Sequence, residues 1–155
     1  MKRDRRGFTF LELLTVLLVL GILAGIAMLR YIDLKHRAVS AQVISDLEAI
    51  RLGAYNAYYD TQAWPAEAGP GVVPVELAPY LGRSFSFARS DYTLDWENFV
   101  PPGGGPSGGM QLGVVVSSTN SRLMHTLDQM LGNKLPFVIV GGTLTYVIIG
   151  ADGRF

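Results

Sequence analysis

Three carboxylates near the middle of the chain are the residues best suited to hold a metal ion. Asp91, Asp95 and Glu97 lie close together in the sequence, and Ca²⁺ prefers oxygen ligands of this kind. Asp91 and Asp95 do not have the spacing of a known calcium loop, and a strand would place all three on one side only if it were regular. We therefore interpret them as exposed strand carboxylates and predict no metal site.

The remaining chemistry-bearing residues do not form a catalytic pattern. His36 has Ser40 at i+4 instead of a second ligand, and His125 has no evident nucleophile or carboxylate partner for a triad. The chain contains no cysteine, which excludes a disulfide framework, a Cys-ligated zinc site and a thiol nucleophile. No P-loop or GxGxxG motif occurs. We predict neither enzymatic activity nor a cofactor.

Charge and composition narrow the class of protein further. The 155 residues include 13 Lys+Arg and 13 Asp+Glu, a balance that argues against a nucleic-acid partner. The hydrophobic share of 49% is not that of a disordered chain. The basic residues are unevenly placed, however, because four of them lie in the first seven positions: Lys2, Arg3, Arg5 and Arg6.

A long apolar run follows this basic start. Residues 8–29 read FTFLELLTVLLVLGILAGIAML and contain one charge, Glu12. As a helix at ~1.5 Å per residue the run would be about 33 Å long, enough to cross the ~30 Å hydrocarbon core of a bilayer. The basic flank should stay cytoplasmic, and everything after Arg30 would be exported.

Two general interpretations of this run leave Glu12 unexplained. A cleaved signal peptide would have an unusually long apolar region, since ~7–15 residues is usual. An uncleaved signal anchor fits the length. In both cases a carboxylate in the apolar span costs roughly 2.5–3.5 kcal/mol near the helix centre and less near its end. Glu12 could also lie near the interface and extend its carboxylate to water.

A third interpretation accounts for the glutamate. GFTFLELL, residues 7–14, resembles the processing motif of type IV pilins and of type II secretion pseudopilins. The resemblance implies that prepilin peptidase cuts between Gly7 and Phe8 and N-methylates Phe8. Glu12 would then be the fifth residue of the mature chain, where the family's glutamate is thought to pair with the amine of a neighbouring subunit. An intramolecular pair with its own amine stays open, because Glu12 lies one helical turn away.

The resemblance also implies partners and a location. The partners are prepilin peptidase, an assembly ATPase with its platform protein, other pilin or pseudopilin subunits, and membrane lipid before assembly. The subunit would first cross the inner (cytoplasmic) membrane once and later enter a periplasmic or cell-surface filament. The expected organisation is a basic leader at 1–7, a transmembrane and assembly helix at 8–29, and an exported globular domain at 30–155 that includes the second half of the helix.

The expected fold is α+β and pilin-like, with a long N-terminal helix packed on a small antiparallel sheet. Many family members have proline, which interrupts a helix, where this chain has Leu29. Because this chain lacks that proline, we predict one continuous helix from about Phe8 to about Asp60. Its second half should bury an apolar stripe, namely Val39, Val43, Leu47, Ile50, Ala54 and Tyr58. Gly21 and Gly25 form a GxxxG that fits either close helix packing or ordinary membrane-helix composition.

The segments after the helix carry weaker patterns. We predict a Pro/Gly loop over 61–82 with a helical turn at 75–81, strands at 85–87, 92–96 and 110–118, and a flexible loop at 101–109. A short amphipathic helix should occupy 120–131, with Leu123, Leu127, Met130 and Leu131 on one face. A hairpin should turn at Gly141-Gly142.

One rival class stays open, a signal-anchored periplasmic enzyme or binding protein. Processing separates the two, because the anchored protein would keep Met1 or lose about 27 residues, whereas the filament subunit would lose the leader that ends at Gly7. The sequence does not distinguish a pilus from a secretion pseudopilus, a major from a minor subunit, or secretion from adhesion, motility or DNA uptake.

Overall fold

The structure is a computed structural model that describes residues 8–99, 110–132, 136–140 and 142–150. The predicted leader at 1–7, the loop at 101–109 and Gly141 of the hairpin turn lie outside these residues. The chain divides into two compact units, Met1–His36 and Arg37–Phe155.

Helix α1 spans Phe10–Thr61 without interruption, which confirms the predicted continuous helix. No proline falls within it, and its glycines cost ~1 kcal/mol each relative to alanine without ending it. In the first unit the apolar side chains from Phe10 to Leu29 are exposed, and Ile32 is half-buried. In the second unit it buries one face.

The second unit contains a four-stranded antiparallel sheet and a short helix. The strands are β1 (Thr93–Asn98), β2 (Met110–Ser117), β3 (Phe137–Val140) and β4 (Thr143–Gly150), in the order β1-β2-β4-β3. Helix α2 (Ser121–Leu131) connects β2 to β3, and a 3-10 turn covers Ala78–Tyr80. The predicted α+β, pilin-like fold is confirmed.

The sheet register brings one row of side chains across the core. Trp96 pairs with Val114, Val114 with Tyr146, and Tyr146 with Phe137. Trp96, Val114 and Tyr146 are fully buried or nearly so, and the Phe137 ring stacks on Tyr146 with centroids 5.0 Å apart. Because opposing residues of antiparallel strands share a face, this row fixes which side of the sheet meets α1.

Most of the predicted helix stripe is buried, but its last member is not. Val43, Leu47, Ile50 and Ala54 are buried, Val39 packs partly against the core, and Tyr58 is exposed. Gly53 and Ala57 take up the buried face instead. A Cβ on Gly53 would lie 3.2 Å from side-chain atoms of both Leu77 and Leu81, so the loop after α1 packs directly on the helix backbone.

Two other predictions needed correction. Residues 85–87 form no strand, and the sheet there is reduced to an isolated bridge between Ala88 and Thr93. Phe87 is nevertheless fully buried, since its apolar side chain fills the core from a loop. In α2, Leu123 and Leu127 are buried as predicted, but Met130 is exposed.

Candidate functional site

The predicted assembly residue Glu12 takes part in a capping arrangement at the start of α1. Its Oε2 accepts hydrogen bonds from the backbone N–H and from the hydroxyl of Thr9, both at 2.8 Å, and Thr9 Oγ1 accepts from the Glu12 backbone N–H at 3.2 Å. This reciprocal pair is a capping box. Two backbone N–H groups that lack helical partners are thereby satisfied where the apolar run begins.

The capping box occupies only one of the two carboxylate oxygens. Over residues 8–99 and the other described segments, Oε1 of Glu12 accepts no hydrogen bond. Phe8 is 87% exposed, whereas Gly7 lies outside the described residues. The local signal for the box was present in the sequence as Thr9-x-x-Glu12 before an apolar run, and our sequence analysis missed it.

The first unit exposes a continuous apolar helical surface. An 18-residue window of α1 has a mean hydropathy of 2.5, and none of it is buried. By length and composition the helix can cross a membrane, a test that a signal sequence also passes. A Cβ built on Gly21 or Gly25 meets no atom within 4 Å, so both alternatives for the GxxxG stay open.

In the second unit, α1 carries a buried carboxylate that the sequence analysis did not select. Asp46 is 3% exposed. Its Oδ2 accepts a hydrogen bond from the Tyr92 hydroxyl at 2.7 Å and from Arg89 Nε at 3.2 Å, and its Oδ1 accepts from Gln42 Nε2 at 2.8 Å and from Arg89 Nη2 at 3.2 Å. Burial and the bond to this carboxylate raise the pKa of Tyr92, so the phenol stays a donor.

A second polar contact joins α1 to β4. The Tyr146 hydroxyl donates to Glu48 Oε1 at 3.0 Å and accepts from Arg51 Nη1 at 3.4 Å. Burial is the main cause of the raised pKa of Tyr146. The two contacts hold the second half of α1 against β4 and against the segment before β1.

The aromatic residues at the end of α1 form internal contacts. Trp64 stacks on Tyr58 at 4.3 Å between centroids and meets Tyr55 edge-on at 5.5 Å. Trp96 donates its indole N–H to the Pro65 carbonyl at 3.0 Å. Tyr59 is 81% exposed. Tyr55 and Tyr58 therefore help to hold the loop that leaves α1.

The carboxylates that suggested calcium are arranged differently from our expectation. Asp95 and Glu97 project from the same side of β1 and are half-buried rather than fully exposed. Burial raises the pKa of both, and the negative charge of Glu67 adds to the effect. Asp91 accepts from the Ser90 hydroxyl at 3.0 Å. Among the described residues, no three or more such side chains are placed to hold a metal ion.

Neither histidine has a catalytic arrangement in the described part of the chain. The His125 ring contacts Gln129 Nε2 at 3.1 Å, on the exposed face of α2. His36 is half-buried on α1.

Comparison with known proteins identifies the N-terminal segment. Residues 2–28 match the family model described as the prokaryotic N-terminal methylation motif. Fimbrial protein EcpC of Eikenella corrodens is 34% identical over 83 residues, which cover 52% of this chain and 54% of that protein. A fimbrial protein of Pseudomonas aeruginosa is 32% identical over 68 residues, 44% of each chain.

The similarity extends to a secretion protein. Type II secretion system core protein G of Dickeya chrysanthemi is 36% identical over 50 residues, which cover 32% of this chain and 33% of that protein. The chain thus matches about half the length, or less, of these curated relatives, and no solved structure matches it. The resemblance to type IV pilins and type II secretion pseudopilins is confirmed by these matches, and the fold is pilin-like.

Proposed function

We propose that this chain is a structural subunit of a type IV pilus-like or type II secretion filament. The observation that carries the proposal is the N-terminal methylation motif over residues 2–28, whose apolar part forms an exposed helix from Phe10 onward. Prepilin peptidase cuts between Gly7 and Phe8 and methylates the new amine. The mature subunit waits in the cytoplasmic membrane and then polymerises through α1.

The capping box supports a specific role for Glu12 in this process. Thr9 orients the carboxylate through Oε2 and leaves Oε1 available to a further donor. The cationic amine of Phe8 in a neighbouring subunit is such a donor. In an apolar environment the two opposite charges attract strongly, and either one alone is costly to bury. The pair would therefore set the axial position of one subunit against the next.

The partners follow from this role. Prepilin peptidase matures the chain, a platform protein and an ATPase extract it from the bilayer, and like or related subunits surround it in the filament. The fimbrial relatives favour a pilus and the protein G relative favours a secretion pseudopilus. The exported domain lies outside the cytoplasm in both cases.

Processing is the direct test of the proposal. Gly7→Val places a branched side chain at the cut, so we expect the full precursor to accumulate in the membrane. Gly21→Val introduces the same side chain within α1, where the added Cβ meets no atom within 4 Å, and this control should be cut normally. Intact-mass analysis of both variants decides the matter. Mature Gly7→Val protein of normal mass, or cleavage about 20 residues further along as for a signal peptide, would contradict the proposal.

The role of Glu12 needs variants that separate charge from capping. Glu12→Gln keeps an acceptor for Thr9 but removes the charge, whereas Thr9→Val removes the hydroxyl and keeps the charge. We expect Glu12→Gln to be processed but to enter filaments poorly, and Thr9→Val to be incorporated far better. Incorporation together with the cognate subunits is the readout. Wild-type incorporation of Glu12→Gln would refute the pairing with an amine.

The rival class, a signal-anchored periplasmic enzyme or binding protein, requires a different fate for residues 1–7. Such a protein would not be cut after Gly7 and would instead keep Met1 or lose about 27 residues. The same mass measurement on the wild-type chain distinguishes it.

A further inference from the structure

The first turns of α1 beyond the apolar run carry unpaired positive charge. Arg30 and Lys35 are both exposed. The ion pairs found in the described part of the chain are Arg51 with Glu48 and Arg89 with Asp46, so neither Arg30 nor Lys35 forms an ion pair with a carboxylate of the described residues. Asp33 lies between them in sequence and forms no ion pair with either.

Helix geometry directs these two side chains toward the bilayer. In an α-helix each Cα–Cβ bond tilts toward the N-terminus, and the apolar run lies on the N-terminal side of Arg30. Lys35 is about 7.5 Å further along the axis at ~1.5 Å per residue. Long basic side chains can cover part of that distance with their methylene stems. Both cationic groups therefore reach back to the level of the lipid headgroups.

Neighbouring residues fit the same boundary. Tyr31 is 64% exposed and follows Arg30 directly, and tyrosine is enriched where a membrane helix leaves the hydrocarbon core. An exposed tyrosine that lies between two exposed cations just beyond an apolar run has the composition of a membrane interface.

Cleavage of the leader changes the charge balance across the bilayer. The precursor has Lys2, Arg3, Arg5 and Arg6 on the cytoplasmic flank. The mature chain loses them and keeps only the new amine and Glu12 at that end. Its free basic side chains next to the span are then on the exported side, the reverse of the usual arrangement. The mature helix needs a new electrostatic partner to fix its depth.

We propose that Arg30 and Lys35 bind the anionic headgroups of phospholipids in the outer leaflet of the cytoplasmic membrane. These contacts hold the mature helix at a defined depth until it is extracted. The proposal rests on the proposed function insofar as residues 8–29 must span the bilayer. Phosphate-bearing lipid is chosen over a protein partner because the Cα–Cβ bonds of a helix tilt toward its N-terminus, which here is the side of the membrane span.

Lipid preference around the helix tests the proposal. The chain has no cysteine, so Leu34→Cys, at an exposed position, gives a single site for a fluorophore in the full mature chain. Quenching by spin-labelled phosphatidylglycerol is compared with quenching by spin-labelled phosphatidylcholine in reconstituted vesicles. We expect preference for the anionic lipid, weakened by salt because exposed charges are screened.

Charge variants supply the sign and size of the effect. Arg30→Gln and Lys35→Gln should each lower the preference about five-fold, the equivalent of ~1 kcal/mol per basic side chain near an anionic surface. Asp33→Asn should raise it. Arg122→Gln, which removes an exposed charge on α2, should leave it unchanged.

The possible failures are distinguishable. A chain that does not insert into either lipid contradicts the membrane span and with it the proposed function. A chain that inserts but shows equal quenching by the two lipids overturns the headgroup proposal alone. Variants that keep the lipid preference yet lose filament incorporation would assign Arg30 and Lys35 to carboxylates of a neighbouring subunit, which also overturns it.

Discussion

The Tyr92 hydroxyl donates a hydrogen bond of 2.7 Å to Oδ2 of Asp46, and both residues are almost completely buried. Arg89 adds a two-pronged contact to the same carboxylate and lies 3.0 Å from Oδ2 through Nη2. The buried charge of Asp46 is thus compensated by the Arg89 cation and by two neutral donors, the Tyr92 hydroxyl and the Gln42 amide. The segment before β1 is attached to the middle of α1 by this one carboxylate.

Removing that carboxylate should destabilise the second unit strongly. Asp46→Ala leaves the Tyr92 hydroxyl and the Arg89 guanidinium without their buried partner, and breaking a buried pair in this way costs about 3–5 kcal/mol. Asp128→Ala, at an exposed position on α2, is the matched control and should change stability by less than about 0.5 kcal/mol. Denaturant unfolding in detergent measures both. Equal stability of the two variants would show that the Asp46 cluster contributes nothing.

Tyr92 should make the domain sensitive to alkali. Its pKa is raised in the folded state, chiefly by burial and then by the bond to Asp46, so the folded protein holds this proton more tightly than the unfolded chain. The stabilisation is complete below the unfolded pKa of about 10 and is lost as the pH rises from there toward the folded value.

Tyr92→Phe isolates this effect. It should lower the free energy of unfolding near neutral pH by about 1.5–3 kcal/mol, the contribution of a hydrogen bond to a charged group. It should also reduce the loss of stability that the wild-type domain shows above pH ~10. Tyr59→Phe changes a residue that is 81% exposed and should retain the wild-type alkaline profile. If Tyr92→Phe loses stability above pH ~10 as the wild type does, the alkaline sensitivity comes from another tyrosine. Tyr146, whose pKa is also raised, is the candidate.

Ionised Asp95 should lower the stability of the folded state at neutral pH. Burial and the charge of Glu67 raise its pKa, so the folded state binds this proton more tightly than the unfolded chain does. The effect of pH on the free energy of unfolding is opposite to that of a salt-bridged carboxylate. The stabilisation from Asp95 is present below its unfolded pKa of about 3.9 and is lost as the pH rises through the folded value. Asp95→Asn should therefore raise the melting temperature at pH 7 and give no benefit at pH ~3. A lower melting temperature at pH 7 would mean that the ionised group has a favourable partner.

Gly113 should not tolerate a side chain. A Cβ there would lie 2.9 Å from the Tyr146 carbonyl oxygen and 3.0 Å from the Phe99 ring, and the carbonyl belongs to the β2–β4 ladder, which cannot move freely. We expect Gly113→Ala to cost about 1–3 kcal/mol, as overpacking does in a dense core. Gly82→Ala, where the added Cβ meets nothing within 4 Å, is the control. Calorimetric melting of both variants distinguishes a local clash from a general intolerance of alanine.

The strongest parts of the sequence analysis rest on long periodic segments. The apolar run and the stripe from Val43 to Ala54 repeat over many turns, so α1 was predictable almost to its ends. The hairpin of β3 and β4 was predictable because two β-branched runs flank a glycine pair. The prediction that Tyr58 lies in the core was wrong. Its ring stacks on Trp64 at the end of the helix and stays exposed.

The hydrogen bonds of Asp46 to distant residues could not be predicted from the periodicity of the sequence. Asp46 lies between Val43 and Leu47 on the buried face, and this charge within an apolar stripe was the available signal. Its partners Tyr92 and Arg89 are distant in sequence, so the sequence contains no local indication of the contact. Phe87 shows the converse, because an alternating pattern suggested a strand where a loop side chain fills the core.

The Asp46 contact has a mechanical consequence. A pull along the axis of α1 would load the interface between the second half of this helix and the rest of the second unit in shear. Asp46 resists such sliding, because the bonds from Tyr92 and Arg89 end on a single carboxylate and share the load. A slip of one helical turn, about 5.4 Å, would break them together. Under tension the second unit should therefore unfold in one abrupt step, because the hydrogen bonds that hold α1 in register break at the same displacement.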